Sequence, residues 1–201
     1  MPHKAYFNLP EEKRERIRQA VIELFAELPY EDVTTRMIVQ KAGISMGSLY
    51  QYFESKDEMY VYFIDNVAYH VDCSGAPASN RWYTNAILTD VERAFIDSMF
   101  RAPSQVLEQF YYSLETNAFR YGKRFYSSLQ AEGLIPPDVD IDFYTLLQSG
   151  IAFGRLMYAR SIGITSPEES RKFFKSNANT VALFGAEHAT QIDQERAEQE
   201  Q

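Results

Sequence analysis

The chain has 201 residues and a formal net charge of −8; 45% of its residues are hydrophobic and 14% aromatic. This composition supports a soluble globular protein with a sizeable core, as one large domain or a small head with a larger body. The single cysteine, Cys73, excludes an intramolecular disulfide and a cysteine-based zinc site and fits a reducing cytoplasm, and no stretch reads as a signal peptide or a membrane span.

From the amino terminus, Glu11 to Leu28 predicts the first helix: Ile17, Ala20, Val21, Leu24, Phe25 and Leu28 repeat as one apolar stripe. Pro10 and the two acids after it suit a helix start and its dipole. Residues 34–53 follow, TTRMIVQKAGISMGSLYQYF, with two short helical patterns joined at Ala42-Gly43-Ile44-Ser45, the layout of a helix-turn-helix. Thr34 caps the first of these helices, and Ile38 and Ala42 give it an inward face. Gly43 supplies the left-handed residue that ends it. Ser45 caps the second, Met46 to Phe53, with Leu49 and Phe53 turned inward. Its outward set is then Met46, Gly47, Ser48, Tyr50, Gln51 and Tyr52. No acid is among them, as a surface lying against phosphates and base edges requires.

Ser55 caps a fourth helix, running from Lys56 to about Asp72 with Met59, Tyr60, Phe63, Ile64 and Val67 buried. It spans roughly 25 Å, enough to link a head to a separate body. The stretch 73–80, CSGAPASN, is the clearest break. Beyond it, helices are predicted over Trp82–Arg101, Ser104–Tyr121, Gly122–Glu132, Ile141–Arg160 and Pro167–Glu187, punctuated by Pro103, Gly133, Pro136-Pro137 and Gly163. The tail 191–201 is polar and reads as flexible. The expected architecture is all-α with about nine helices. It divides into a helix-turn-helix head (1–56) and a helical ligand-binding and dimerisation body (57–190, in which 57–72 is the link).

The run Thr34…Ile38-Val39-Gln40-Lys41-Ala42-Gly43-Ile44-Ser45-Met46-Gly47-Ser48-Leu49-Tyr50-Gln51-Tyr52-Phe53, with Lys56 beyond, resembles the DNA-binding helices of the TetR family of transcriptional regulators. The resemblance covers about the first third of the chain. Val39 stands for the usual alanine, and Tyr52 for a frequent histidine. In a helix-turn-helix the second helix enters the major groove with its first residues at base edges. Ser45, Met46, Gly47, Ser48 and Gln51 are therefore expected at the DNA. Arg36 can bind a guanine bidentately. Thr35, Tyr50, Tyr52 and Lys56 resemble the family's backbone-contacting set.

Residues 1–60 carry eight Lys/Arg against ten Asp/Glu, and the remainder twelve against eighteen. Most of the surplus acid thus lies away from the expected DNA face. Weak non-specific binding and strong salt dependence follow.

The resemblance further implies an effector pocket in the aromatic-rich body, with Trp82, Met99, Phe110, Tyr111, Leu114, Tyr144 and Gln148 as candidate lining and a mainly hydrophobic or aromatic ligand. Ile151, Phe153, Gly154, Phe174, Val181 and Phe184 are the candidate dimer surface, two helices from each subunit forming a four-helix bundle. A symmetric dimer would read palindromic operator DNA at half-sites ~34–36 Å apart or somewhat farther. No catalytic constellation, metal site or cofactor motif is present, and His3, His70 and His188 lie far apart in sequence. The expected protein is a homodimeric, cytoplasmic, ligand-responsive repressor and not an enzyme. A constitutive or architectural DNA binder and a protein-interaction adaptor on the same fold stand as alternatives.

Overall fold

The computed structural model describes residues 2–69 and 88–176, which hold ten α-helices and no strand. They are α1 (Lys4–Phe7), α2 (Glu11–Glu27), α3 (Thr35–Ala42), α4 (Met46–Tyr52) and α5 (Lys56–Tyr69), then α6 (Asp90–Asp97), α7 (Ser104–Tyr111), α8 (Asn117–Ala131), α9 (Ile141–Ser161) and α10 (Pro167–Ser176). A 3₁₀ turn, Ser98–Phe100, follows α6. The chain divides into a first unit, residues 1–158, and a second, residues 159–201, of which only 159–176 are described. No helix among the described residues is long and apolar enough to cross a membrane.

Local chemistry explains the boundaries. Thr34 and Ser45 accept the backbone N–H of Met37 and Ser48 at 3.2 and 3.1 Å, capping α3 and α4. Ser55 does the same for Glu58 at 3.0 Å at the start of α5. Thr89 and Glu92 form a reciprocal capping box at the start of α6.

The apolar core of the first unit is continuous from the head into the body. Ile17, Val21 and Phe25 of α2 meet Ile38 of α3, Leu49 of α4 and Met59, Tyr60, Phe63 and Ile64 of α5, and beyond these Phe95 and Leu107. The Tyr60 ring lies 4.8 Å from Phe25 and 5.6 Å from Phe95, so α5 is the element that joins both sides. Fully burying one such side chain is worth about 1.5–3 kcal/mol. The Tyr60 hydroxyl is buried too, 2.8 Å from Ser98 Oγ. Because Ser98 donates its own proton to the Phe95 carbonyl, Tyr60 is the donor to Ser98, and the buried polar pair is satisfied.

Asp65, buried on α5, accepts the backbone N–H groups of Asn117 and Ala118 at 2.7 and 2.9 Å. It thereby caps the start of α8 from another helix. Burial pushes its carboxyl up, against the lowering effect of those two donors.

Three expectations are corrected. The helix expected over 82–101 starts, within the described residues, only at Asp90, where the Thr89 capping box sets the boundary; 82–87 lie outside the described residues. The break expected between Tyr121 and Gly122 lies instead at 112–116, and α8 runs through Gly122. That glycine serves close packing: a Cβ there would lie 3.0 Å from Thr145 Cγ2 of α9. Finally, α1 ahead of Pro10 has no counterpart among the expected helices. Its Tyr6 is buried against Phe53, ring centroids 4.9 Å apart. The loop 73–80 with Cys73, His70 and the tail 191–201 lie outside the described residues.

Candidate nucleic-acid interface

The turn between α3 and α4 is built as its sequence requires. Gly43 adopts φ 64°, ψ 40°, and the N–H groups of Gly43 and Ile44 return to the carbonyls of Gln40 and Val39. This Schellman arrangement satisfies the last carbonyls of α3 and turns the chain sharply into Ser45. Leu49 is then fully buried, and Met46, Gly47, Tyr50 and Gln51 are exposed with Ser48 half-buried. Nothing lies within 4 Å of where a Gly47 Cβ would be, so the start of α4 presents an open surface. Ser48 Oγ is 2.8 Å from Ser45 Oγ, leaving both hydroxyls at the helix start. Thr35 is half-buried, and Arg36 is exposed with no ion pair among the described residues.

Two residues expected on this face are placed differently. Tyr52 was expected outward but is only 6% exposed, with its hydroxyl accepting from Lys13 Nζ at 3.1 Å. At the end of α4 its ring turns toward α2 instead of outward. Tyr50, by contrast, is 51% exposed. Lys56 is half-buried, and its ammonium donates to the carbonyls of Tyr30 and Val33 at 2.9 and 3.0 Å while standing 4.2 Å from the Tyr30 ring centroid. Tyr30 in turn donates its hydroxyl to Asp57, and burial together with that acceptor pushes the phenol up. The turn after α2 is thus sewn to the first residues of α5. Lys13 and the α1 segment pack behind this surface, against Tyr52 and Phe53, and neither was among the residues the sequence singled out. The only signal for α1 was the Tyr6-Phe7 pair.

In the body, the candidate effector residues do not share one environment. Met99 and Phe110 are packed into the core, and Leu114 faces out from the α7–α8 connection. Tyr111 is half-buried between Phe110 and Phe153, 5.0 and 5.5 Å from their rings. Tyr144 stands 5.0 Å from Tyr126, whose phenol is pushed up to about 12 by burial and by Tyr144, and Gln148 is half-buried. Trp82 lies outside the described residues. A cavity of about 160 Å³ does lie beside α5, but Glu58, Tyr62, Asp65, Gln109, Glu115 and their neighbours line it, and none of the candidates does. No group of three or more His, Cys, Asp or Glu among the described residues is placed to hold a metal ion.

Of the candidate dimer residues, Ile151 and Gly154 are exposed, and nothing lies within 4 Å of a Gly154 Cβ. Phe153 points the other way, 5.5 Å from the Tyr111 ring and 5.7 Å from Tyr112. Phe143, Leu147 and Tyr158 join Ile151 as exposed apolar residues of α9. Steps of four, four and seven place them with Gly154 along one helix face. Phe174 is half-buried on α10, its ring 5.2 Å from Phe173. Val181 and Phe184 lie outside the described residues.

Residues 17–63 match the family described as bacterial regulatory proteins, tetR family. A curated relative, the HTH-type transcriptional regulator HbdR of Aromatoleum sp. (strain CIB), is 39% identical over 59 residues, which is 29% of this chain and 26% of the relative. The match therefore spans only about a quarter of that relative's length. Among solved structures, a TetR family transcriptional regulator from Chloroflexus aurantiacus J-10-FL is 26% identical, covering 92% of this chain and 91% of its own, with a TM-score of 0.33. Salmonella enterica GusR is 20% identical, covering 86% and 95%, with a TM-score of 0.48. The head, with its capped α3, left-handed glycine and open α4 face, carries the relationship. Residues 17–63 thus carry the helix-turn-helix part shared by bacterial regulatory proteins of the tetR family.

Proposed function

We propose that this regulator works as a homodimeric repressor whose two heads (1–56) read a palindromic operator, and whose body (57–190) dimerises and binds a small, mainly hydrophobic or aromatic effector. The observation that carries the dimer is the apolar face of α9, Phe143, Leu147, Ile151 and Tyr158, exposed along a helix with Gly154 open between them. An exposed stripe of this kind marks an interaction surface. A second copy is its natural occupant, because operator reading by short helices needs two heads held at fixed spacing.

At the DNA, Ser45, Met46, Gly47 and Ser48 meet base edges, Arg36 supplies the hydrogen bonds to a guanine, and Thr35, Tyr50 and Gln51 flank the backbone. Tyr52 and Lys56 act through the shape of the head, since both already have protein partners. The effector acts through α5, which shares the core of both parts and holds α8 through Asp65. A ligand that prefers one head separation lowers operator affinity by its own preference between states, commonly about 1–3 kcal/mol.

The test is an electrophoretic shift with DNA upstream of the protein's own gene at several salt concentrations, paired with sedimentation of the free protein. A two-subunit complex that a small apolar compound releases, and whose melting temperature that compound raises, supports the reading. If Ile151→Glu sediments as the parent does and binds operator equally well, α9 is not the dimer surface.

A further inference from the structure

The recognition helix α4 has seven residues, too few to be stable alone. Its final carbonyls need partners from outside the helix. The neighbouring α3 solves this with Gly43, but α4 runs straight into Phe53 at φ −137°, an extended residue that returns only one N–H, to Leu49. The partners come from the far end of the segment. The backbone N–H of His3 donates to the Tyr52 carbonyl at 2.9 Å, and His3 Nδ1 donates to the Gln51 carbonyl at 3.1 Å. That carbonyl can only accept, so Nδ1 carries the proton.

The segment is held there by Tyr6, whose ring lies 4.9 Å from Phe53 and 5.6 Å from Tyr62 of α5. Pro2 is buried as well. The same short stretch thus grips the end of α4 and the flank of α5. The residues whose backbone it grips, Gln51 and Tyr52, directly follow the exposed Tyr50.

We infer that residues 2–7 form a clip that caps the recognition helix and sets its angle for DNA, with His3 as the positioning residue. The inference rests on the DNA-reading role of α4 but makes no claim about operator sequence or effector. It separates what the arm does from phosphate contact: the arm acts on protein carbonyls.

The discriminating variant is His3→Pro in the full chain. His3 sits at φ −66°, the value proline imposes, so the change removes both donors without straining the backbone and leaves Tyr6 in place. His3→Asn is the conservative partner, keeping the N–H and offering a side-chain donor. Two readouts are needed: hydrogen exchange of the amides of Leu49–Phe53 without DNA, and affinity for a duplex selected from a random library by the parent protein, across a salt series.

Two ordinary hydrogen bonds correspond to about a tenfold effect. His3→Pro is expected to speed exchange in α4 about tenfold while α2 and α5 are unchanged. It is expected to weaken duplex binding about five- to tenfold at an unaltered salt slope, and His3→Asn to stay within about twofold of the parent. Unchanged exchange in α4 overturns the clip. So does a weaker complex whose salt slope falls by about one, because the arm is then a phosphate contact. Failure of the parent to select any duplex defeats the DNA-reading role, while the exchange experiment still decides the clip.

Discussion

Lys56→Ala separates two roles that one lysine can play in this head. Its ammonium has two carbonyl acceptors at 2.9 and 3.0 Å and a ring at 4.2 Å. A hydrogen bond from a charged donor is worth about 1.5–3 kcal/mol, and an exposed cation–π contact about 0.5–1 kcal/mol. These do not add in full here, because the site is half-buried and water rehydrates part of what is lost. A net cost of about 2–3 kcal/mol is expected, lowering the melting temperature by roughly 4–12 °C for a chain of this size.

The assay is urea unfolding for stability, and operator binding over a salt series at a temperature where the variant is fully folded. With the turn at residues 29–33 no longer sewn to α5, affinity falls but the slope of log Kd against log salt stays as in the parent. Lys56→Met, which keeps the stem, should recover little. An unchanged unfolding midpoint together with a slope reduced by about one would refute the reasoning, since that is the signature of a lost phosphate contact.

Gly47→Ala fills open space near the start of α4, so the free protein should be unaffected or gain about 0.5–1 kcal/mol, while operator affinity falls because the methyl meets the groove; equal binding by both proteins in a shift assay would remove Gly47 from the interface. Glu92 is partly buried, which by itself would raise its carboxyl, but the N–H and hydroxyl of Thr89 and the guanidinium of Arg18 hold it below the usual range. A depressed folded pKa contributes stability that is full above the unfolded value, about 4.3, and lost as pH falls through the folded value. Glu92→Gln should therefore be less stable than the parent at pH 7, with the gap closing in acid; chemical unfolding at pH 3, 5 and 7 measures it, and a gap constant with pH rejects the ion pair as its source. Gly122→Val drives side-chain carbons into Thr145 and should cost about 1–3 kcal/mol, read as a lower urea midpoint.

Much of the head was legible from local chemistry. A hydroxyl oxygen three residues before the backbone N–H that donates to it, a glycine where a helix must turn left, and apolar residues four apart are short-range signals. Thr34, Gly43, Ser45, Ser55 and Leu49 each stand where those signals put them. The body was less legible because its boundaries depend on partners distant in sequence. The start of α8 is capped by Asp65, more than fifty residues earlier, and Gly122, which reads locally as a helix break, lies inside α8 with Thr145 of α9 packed where a Cβ would be.

The sequence by itself determined the helical architecture of the described residues and the helix-turn-helix head, because helix period, caps and the α3–α4 turn are written in neighbouring residues. Only the tertiary structure decided which candidate side chains are free to meet a partner. Tyr52 and Lys56 look outward in a list of residues, yet in space Lys13 and the carbonyls of Tyr30 and Val33 reach them first. The same holds for His3 at the end of α4 and for the turn of Phe153 away from the Ile151 face. Orientation about a helix axis and the pairing of a polar group across the chain are set by packing against elements far away in sequence, and no local pattern encodes them.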